Sequence, residues 1–326
     1  MLSTTVHERG RVLTIKRLIL PLTFCLLAES AFAAKSDGRP LLLVSVYPVA
    51  AMAQEIAGDA FEVKPALPYG RSEHDYEASA KDVRTLRGAD LLLIVDQTTD
   101  GWMGRATGNK VPVFEILPHV DRAIYGDTIG VAALGSVATK SMGGLPDPHF
   151  WLDPIRMGKA ALAVANRLAE MTTIDEPARK AVVARAKVFS ARMTGLNAAI
   201  IEGAKSWRVA HVILAHGSLG YYSRLTGLKI IGILEPMPHV EPTPRHLGAL
   251  IQLAKANKPC VVLAEEQIDD AVARALAREA GVSVTRINPM GYPEGTAVAS
   301  LGAYDRYLVR FTKEVANGIS KATILK

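Results

Sequence analysis

The amino-acid sequence predicts an α/β fold of two lobes, each a mostly parallel sheet flanked by helices, joined by one long rigid helix. Three observations carry this expectation. Short runs rich in Leu, Ile and Val alternate with segments of helical periodicity along the chain. The runs are continuously apolar rather than alternating, the pattern of strands covered on both faces. A central stretch of about 30 residues keeps helical spacing without an internal proline, and 326 residues suit two lobes better than one core.

In chain order, LLLVSV at 41–46 forms the first strand, and a helix through AAMAQEIAG stops at Gly58. FEVK at 61–64, LLLIV at 91–95 and VPVFEI at 111–116 supply three more strands. DPIRMGKAALAVANRLAEM then reads as a helix with Asp153 at its cap and Pro154 at its first position. From Glu176 to Trp207, Val182, Val183, Ala186, Phe189, Met193 and Leu196 recur at helical spacing, with Gly195 the one glycine between Val182 and Leu196. At 1.5 Å per residue this helix is about 45 Å long, enough to span a small domain. A second alternation follows, with strands HVILA at 211–215, LKIIGIL at 228–234, CVVLA at 260–264 and VSVTRI at 282–287. TPRHLGALIQLAKAN and DDAVARALAREAG form helices between them. The expected division is a signal peptide at 1–33, a first lobe at 34–173, the connecting helix at 174–207 and a second lobe at 208–326. Ligands of such sheets bind beyond the carboxyl ends of the strands, here in the cleft between lobes.

The net charge of +6 is modest, and part of it sits in Arg9, Arg11, Lys16 and Arg17. Elsewhere the charges are interspersed, which gives nucleic-acid binding no support. Lys16 and Arg17 precede the apolar run LILPLTFCLLA, and Ala31-Phe32-Ala33 places small residues at both positions a signal peptidase reads. The run falls short of the ~20 residues that span a bilayer. Export to the periplasm of a Gram-negative cell is expected, with cleavage near Ala34. Cys25 follows Phe24 rather than a small residue, so no lipid anchor is expected. Cleavage would leave Cys260 as the single cysteine, with no internal disulfide. It opens the run CVVLA and is expected in a buried strand rather than at a metal.

Among the eight histidines, His74, His149 and His216 each follow a strand or sit in a loop rich in turn residues. Their contexts are PYGRSEHDYEASAKDV, GLPDPHFWLDP and HVILAH. Loops at strand ends are where two lobes face each other. Neutral imidazole suits zinc, copper, iron and nickel, and three imidazoles with one oxygen can hold zinc. Asp75, Glu77, Asp147 and Asp153 are candidates to orient such rings through the second ring nitrogen. Widely spaced histidines are, taken alone, more often structural or solvated. His211 is expected half-buried at a strand start, and His239 and His246 at a rim or helix surface. His119 ends the fourth strand and faces the expected cleft. Trp151, Tyr221 and Tyr222 are expected as core or lobe-contact residues.

Several ordered motifs resemble one family. SVYPVAAMAQEIAGDAFEVKPALPYGRSEHDYEASAKDVRTLRGADLLL, DPHFWLDP, AHGSLGYYSRLTGLKIIGIL, EPTPRHLGALIQLAKANKPCVVLAEEQ and INPMGYPEG, from residue 41 to the C-terminus, resemble the metal-specific solute-binding proteins of bacterial ABC importers. The resemblance puts His74, His149 and His216 at the family's first three ligand positions. It also implies two lobes bridged by a rigid helix, and a monomer that delivers its ion to a membrane permease and its ATPase. The stiff connector itself predicts little closure on metal. Manganese and iron receptors of the family tend to carry Glu at the third position. His216 there favours Zn2+ as cargo over Mn2+ or Fe2+. The stretch before His149 lacks the His-rich loop of many zinc receptors.

The chain departs from the family at its fourth ligand. An Asp in a D-P-x-G turn is replaced by Asn288-Pro289-Met290-Gly291. Three outcomes are open: Asn288 binds weakly or leaves a water, Glu265, Glu266 or Glu294 takes over, or the cargo differs. If Asn288 is a weak ligand, Asn288→Asp is expected to tighten zinc binding. An enzyme reading has less support. H-G-S-L-G lacks the first glycine of a nucleophile elbow, and no H-E-x-x-H, P-loop or G-x-G-x-x-G occurs. A three-histidine zinc with an open fourth position is also the arrangement of a zinc hydrolase, which would need a placed general base. Adhesion, a role of some relatives, has no identifying feature.

Overall fold

The computed structural model describes residues 38–130, 143–205, 207, 211–235, 241–291 and 302–324. The segment assigned to export, together with His239 and Glu294, lies outside them. Two four-stranded parallel sheets form the frame. The first has the order β2-β1-β3-β4, from β1 (Leu41–Val44), β2 (Glu62–Pro65), β3 (Leu91–Ile94) and β4 (Val113–Glu115). The second repeats that order as β6-β5-β7-β8, from β5 (His211–Leu214), β6 (Lys229–Ile233), β7 (Cys260–Glu265) and β8 (Ser283–Ile287). Every residue of β1, β3 and β7 is buried. That is why these strands are apolar throughout apart from Glu265 at the end of β7: helices cover both sheet faces, so no position faces water.

In the first half of the chain lie α1 (Tyr47–Ala57), α2 (Ala80–Arg87), α3 (Trp102–Ala106) and α4 (Pro154–Ala169). The Ser79 hydroxyl and Asp82 carboxylate form a reciprocal capping box at the start of α2. Asp153 caps α4 by accepting from the Arg156 amide at 3.0 Å, with Pro154 in the first turn. The central helix α5 (Glu176–Ala204) is 29 residues long, about 44 Å. Val182, Ala186, Phe189, Met193, Ile200 and Ala204 form its buried stripe, whereas Val183 and Leu196 are only half-buried. In the second half come α6 (Gly220–Thr226), α7 (Pro244–Ala256), α8 (Ala271–Ala280) and α9 (Ala303–Ile324). The sequence reading did not identify α2, α3, α6 or α9 as helices.

One continuous core runs through both sheets. It joins Leu42 and Phe61 to Phe189 and Met193 of α5, to Val212 and Val261, and to Tyr304 and Phe311 of α9. An ion cluster sits on the same seam. Arg192 of α5 binds Glu55 of α1 through two bonds of 2.6 and 2.8 Å, and Asp305 of α9 through two of 2.9 Å. One guanidinium thus ties the first sheet's helix, the central helix and the second sheet's helix together, and the bidentate geometry fixes their relative rotation. Cys260 is buried, and burial pushes its thiol up to about 11, which keeps it an inert core residue. Among the described residues, no helix is long and apolar enough to cross a membrane.

Candidate metal centre

Three imidazoles converge where the carboxyl ends of the two sheets face each other. His74 lies in the loop after β2, and its amide donates to the Ser72 hydroxyl at 3.3 Å. His149 precedes a short 3-10 turn (Phe150–Leu152) that leads into α4. His216 follows β5 and opens a 3-10 turn (Gly217–Leu219) ahead of α6. Ring centroids are 5.7 Å apart for His74 and His149, 5.2 Å for His74 and His216, and 5.3 Å for His149 and His216. One ligand nitrogen from each lies within 4.8 Å of the others. The rings meet edge to face, so their nitrogens surround one small volume instead of stacking. That volume is a cavity of about 10 Å³, lined also by Glu73, Ser218 and Glu265. It holds a single ion or water and no organic substrate.

The donors suit a soft or borderline cation. His74 Nε2 and His149 Nε2 are buried with no hydrogen-bond partner. A buried imidazole nitrogen left in that state costs free energy that a bound cation would recover. His149 is oriented from behind: its Nδ1 lies 2.9 Å from Asp147 Oδ1, which also accepts the His149 amide at 3.0 Å. This fixes the Nδ1–H tautomer and directs Nε2 into the cavity. Burial acts to lower the His149 pKa, but the Asp147 hydrogen bond and charge, with Glu73 and Glu265, outweigh it and raise the value. At His74 burial wins over the charge of Glu73 and lowers the pKa, favouring the neutral ligand form. Thr128 donates to the other Asp147 oxygen at 2.8 Å. Gly220 lets that assembly fit: a Cβ there would stand 2.3 Å from Asp147 Oδ2 and 2.4 Å from Thr128 Oγ1.

Two carboxylates face the histidines. Glu73 Oε1 is 3.6 Å from His74 Nε2 and 3.9 Å from His149 Nε2. Sequence reasoning did not single out Glu73, although an acid beside a candidate ligand in S-E-H-D was a readable signal. Glu265 closes the other side, accepts from Ser218 Oγ, and is pushed by burial up to about 7. Of the other acids weighed, Asp153 serves as the α4 cap, while Asp75 and Glu77 are exposed. Glu266 is exposed and bonds Asn288 Nδ2 at 3.1 Å.

Asn288 is buried but does not line the cavity, although Pro289 and Met290 do. Its amide is engaged by Glu266, Gln267, Met290 and Gly291. His119 is exposed and stacked on Phe114, away from the other histidines. His211 is half-buried at the start of β5, and Nε2 of His246, on α7, lies 2.8 Å from the Ile233 carbonyl at the end of β6. Trp151 and Tyr221 bond across the lobes, Trp151 Nε1 to the Pro289 carbonyl at 3.0 Å and Tyr221 Oη to the Asp147 carbonyl at 3.2 Å.

Comparison with known proteins points the same way. The family described as zinc-uptake complex component A, periplasmic, matches residues 42–318. The zinc-binding lipoprotein AdcA of Streptococcus pneumoniae serotype 4 is 25% identical over 279 residues, 85% of this chain. The chain spans about half that relative's length, 55%. The high-affinity zinc uptake system protein ZnuA of Bacillus subtilis is 24% identical over 261 residues, covering 79% of this chain and 81% of the relative. A crystal structure of ZnuA superposes with a TM-score of 0.69 at 22% identity, over 86% of this chain and 99% of that one.

Proposed function

The chain belongs to the periplasmic zinc-uptake component A family, and from that premise we propose that it is a receptor for zinc. It binds the ion between its lobes and delivers it to an ABC importer. The single observation that carries this reading is the convergence of three imidazoles on a cavity of one-ion size. In this reading His74, His149 and His216 are the ligands, and the units 34–173 and 208–326 are the two metal-binding lobes. Glu73 supplies the fourth ligand, since its oxygen is near two of the ring nitrogens. Glu265 has the weaker claim, because one of its oxygens already accepts from Ser218 Oγ. Three imidazoles and one carboxylate favour zinc over manganese, which prefers oxygen.

A receptor needs a closed, fully coordinated ion, whereas a hydrolase keeps an open position and room for a substrate. A cavity of about 10 Å³ offers no such room. The partners proposed are a membrane permease and its ATPase, met by a monomer in the periplasm after cleavage of residues 1–33. Titration with competing chelators tests the ligand set. Glu73→Gln is expected to weaken zinc binding several-fold or more, and Glu265→Gln less. The reverse ranking would exchange the two roles.

A further inference from the structure

The turn at 288–291 sits where the lobes meet, and its hydrogen bonds run to both. Asn288 is 1% exposed. Its Nδ2 donates to Glu266 Oε2 at 3.1 Å and to the Gly291 carbonyl at 3.2 Å. Its Oδ1 accepts from Gln267 Nε2 at 2.9 Å and from the Met290 amide at 3.1 Å. Two donors and two lone pairs are the whole capacity of an amide. The Asn288 backbone N–H is bound as well, to Glu314 Oε2 of α9 at 3.0 Å.

Two bonds then run to the first lobe, one from Glu266 and one from the turn itself, and each ends on a segment that carries a histidine. Glu266 Oε2 accepts from Tyr69 Oη at 3.0 Å, and Tyr69 is in the loop that carries His74. The Pro289 carbonyl accepts from Trp151 Nε1 at 3.0 Å, two residues beyond His149. We propose that Asn288 is a positioning residue: its side-chain amide locks the turn onto Glu266 and, through Tyr69 and Trp151, registers the His74 and His149 segments against His216. The inference rests on the three-imidazole reading of the site.

Only an amide can do this. A carboxylate at 288 could still accept from Gln267 and Met290. It could not donate to Glu266 or to Gly291, and it would face the Glu266 carboxylate with like charge at hydrogen-bond distance. Asn288→Asp would therefore replace a hydrogen bond to Glu266 with a like-charge contact, and the expected gain from that substitution reverses sign.

The test is stopped-flow release of zinc from the full exported protein into excess chelator, with thermal melting of each metal-free variant alongside. Asn288→Asp is expected to release zinc about tenfold or more faster than wild type. Adding Glu266→Gln should recover much of that loss, because the new amide nitrogen at 266 can donate to the carboxylate at 288 and to the Tyr69 hydroxyl, which then accepts. Tyr69→Phe removes one hydroxyl from an exposed side chain, so it should leave melting unchanged while release quickens about threefold. That variant keeps the test decisive if Asn288→Asp does not fold. Asn288→Asp that holds zinc as long as wild type or longer overturns the inference, as does a loss that Glu266→Gln leaves unrelieved. Tyr69→Phe releasing at the wild-type rate overturns it too. Wild-type protein that takes up no zinc overturns the metal reading itself, a result separate from those.

Discussion

Asp147 accepts the Nδ1–H of His149 at 2.9 Å while its other oxygen accepts from Thr128. The carboxylate makes the ring more basic and holds its orientation, and both effects strengthen Nε2 as a ligand. Asp147→Asn should therefore weaken zinc binding by about 10–100-fold, measured by chelator competition, and wild-type affinity in that variant would remove the role assigned here. The pH dependence follows from the same pair. The His149 pKa is raised above 6.5 once the hydrogen bond and charges of Asp147 have overcome burial. The stability gained from the protonated ring is present below 6.5 and is lost as pH rises through the raised folded value. Metal has the opposite demand, since it binds only the neutral ring. Zinc affinity should thus rise with pH through a value above 6.5, with proton release on binding, and in Asp147→Asn this step should move down. Calorimetry in buffers of different ionisation enthalpy measures it.

Two contacts between elements carry the next scale. Arg192 of α5 neutralises Glu55, which is buried in α1, and reaches Asp305 of α9. Arg192→Ala would strand a buried carboxylate, at a cost on the order of 3 kcal/mol in a denaturant titration, moderated because the guanidinium is partly exposed. A loss below about 0.5 kcal/mol would class the cluster with ordinary surface pairs. Gly220 lets the start of α6 approach Asp147, and Gly220→Ala should push Asp147 from His149 and lower zinc affinity about tenfold. Unchanged affinity would mean that the backbone yields instead.

The strands and the helices α1, α4, α5, α7 and α8 were legible because LLLV, LLLI and CVVLA are unbroken apolar runs and because α5 has a single buried stripe. Helix α9 was not read, although it carries Tyr304, Phe311 and Val315 into the core. Its core residues Tyr304, Leu308, Phe311, Val315 and Ile319 recur at helical spacing between charged residues, so this stripe was readable in the sequence. At the site, His74, His149 and His216 could be read from loop position and family resemblance. Glu73 was readable as an acid beside a candidate ligand in S-E-H-D, whereas the saturation of Asn288 by Glu266 and Gln267 depends on contacts between segments far apart in sequence, which no local pattern encodes.

For the whole molecule, a core continuous through both sheets, a 29-residue connector and the Arg192 cluster all oppose hinge bending. Scattering profiles with and without zinc should nearly superpose, with local ordering of the His74 loop as the main change. A difference as large as hinge closure produces would contradict this. Mass spectrometry of the exported chain should find it beginning near Ala34 without acylation, and an intact N-terminus would refute cleavage. The central claim is that three imidazoles hold one zinc ion between the lobes. It is tested most directly by metal analysis of protein purified from the periplasm without added metal, followed by competitive titration with zinc, manganese and iron, for wild type and His216→Ala. The account predicts one equivalent of zinc in wild type, displaced by neither competitor, and almost none in His216→Ala. Zinc retained by His216→Ala, or manganese preferred by wild type, would contradict it.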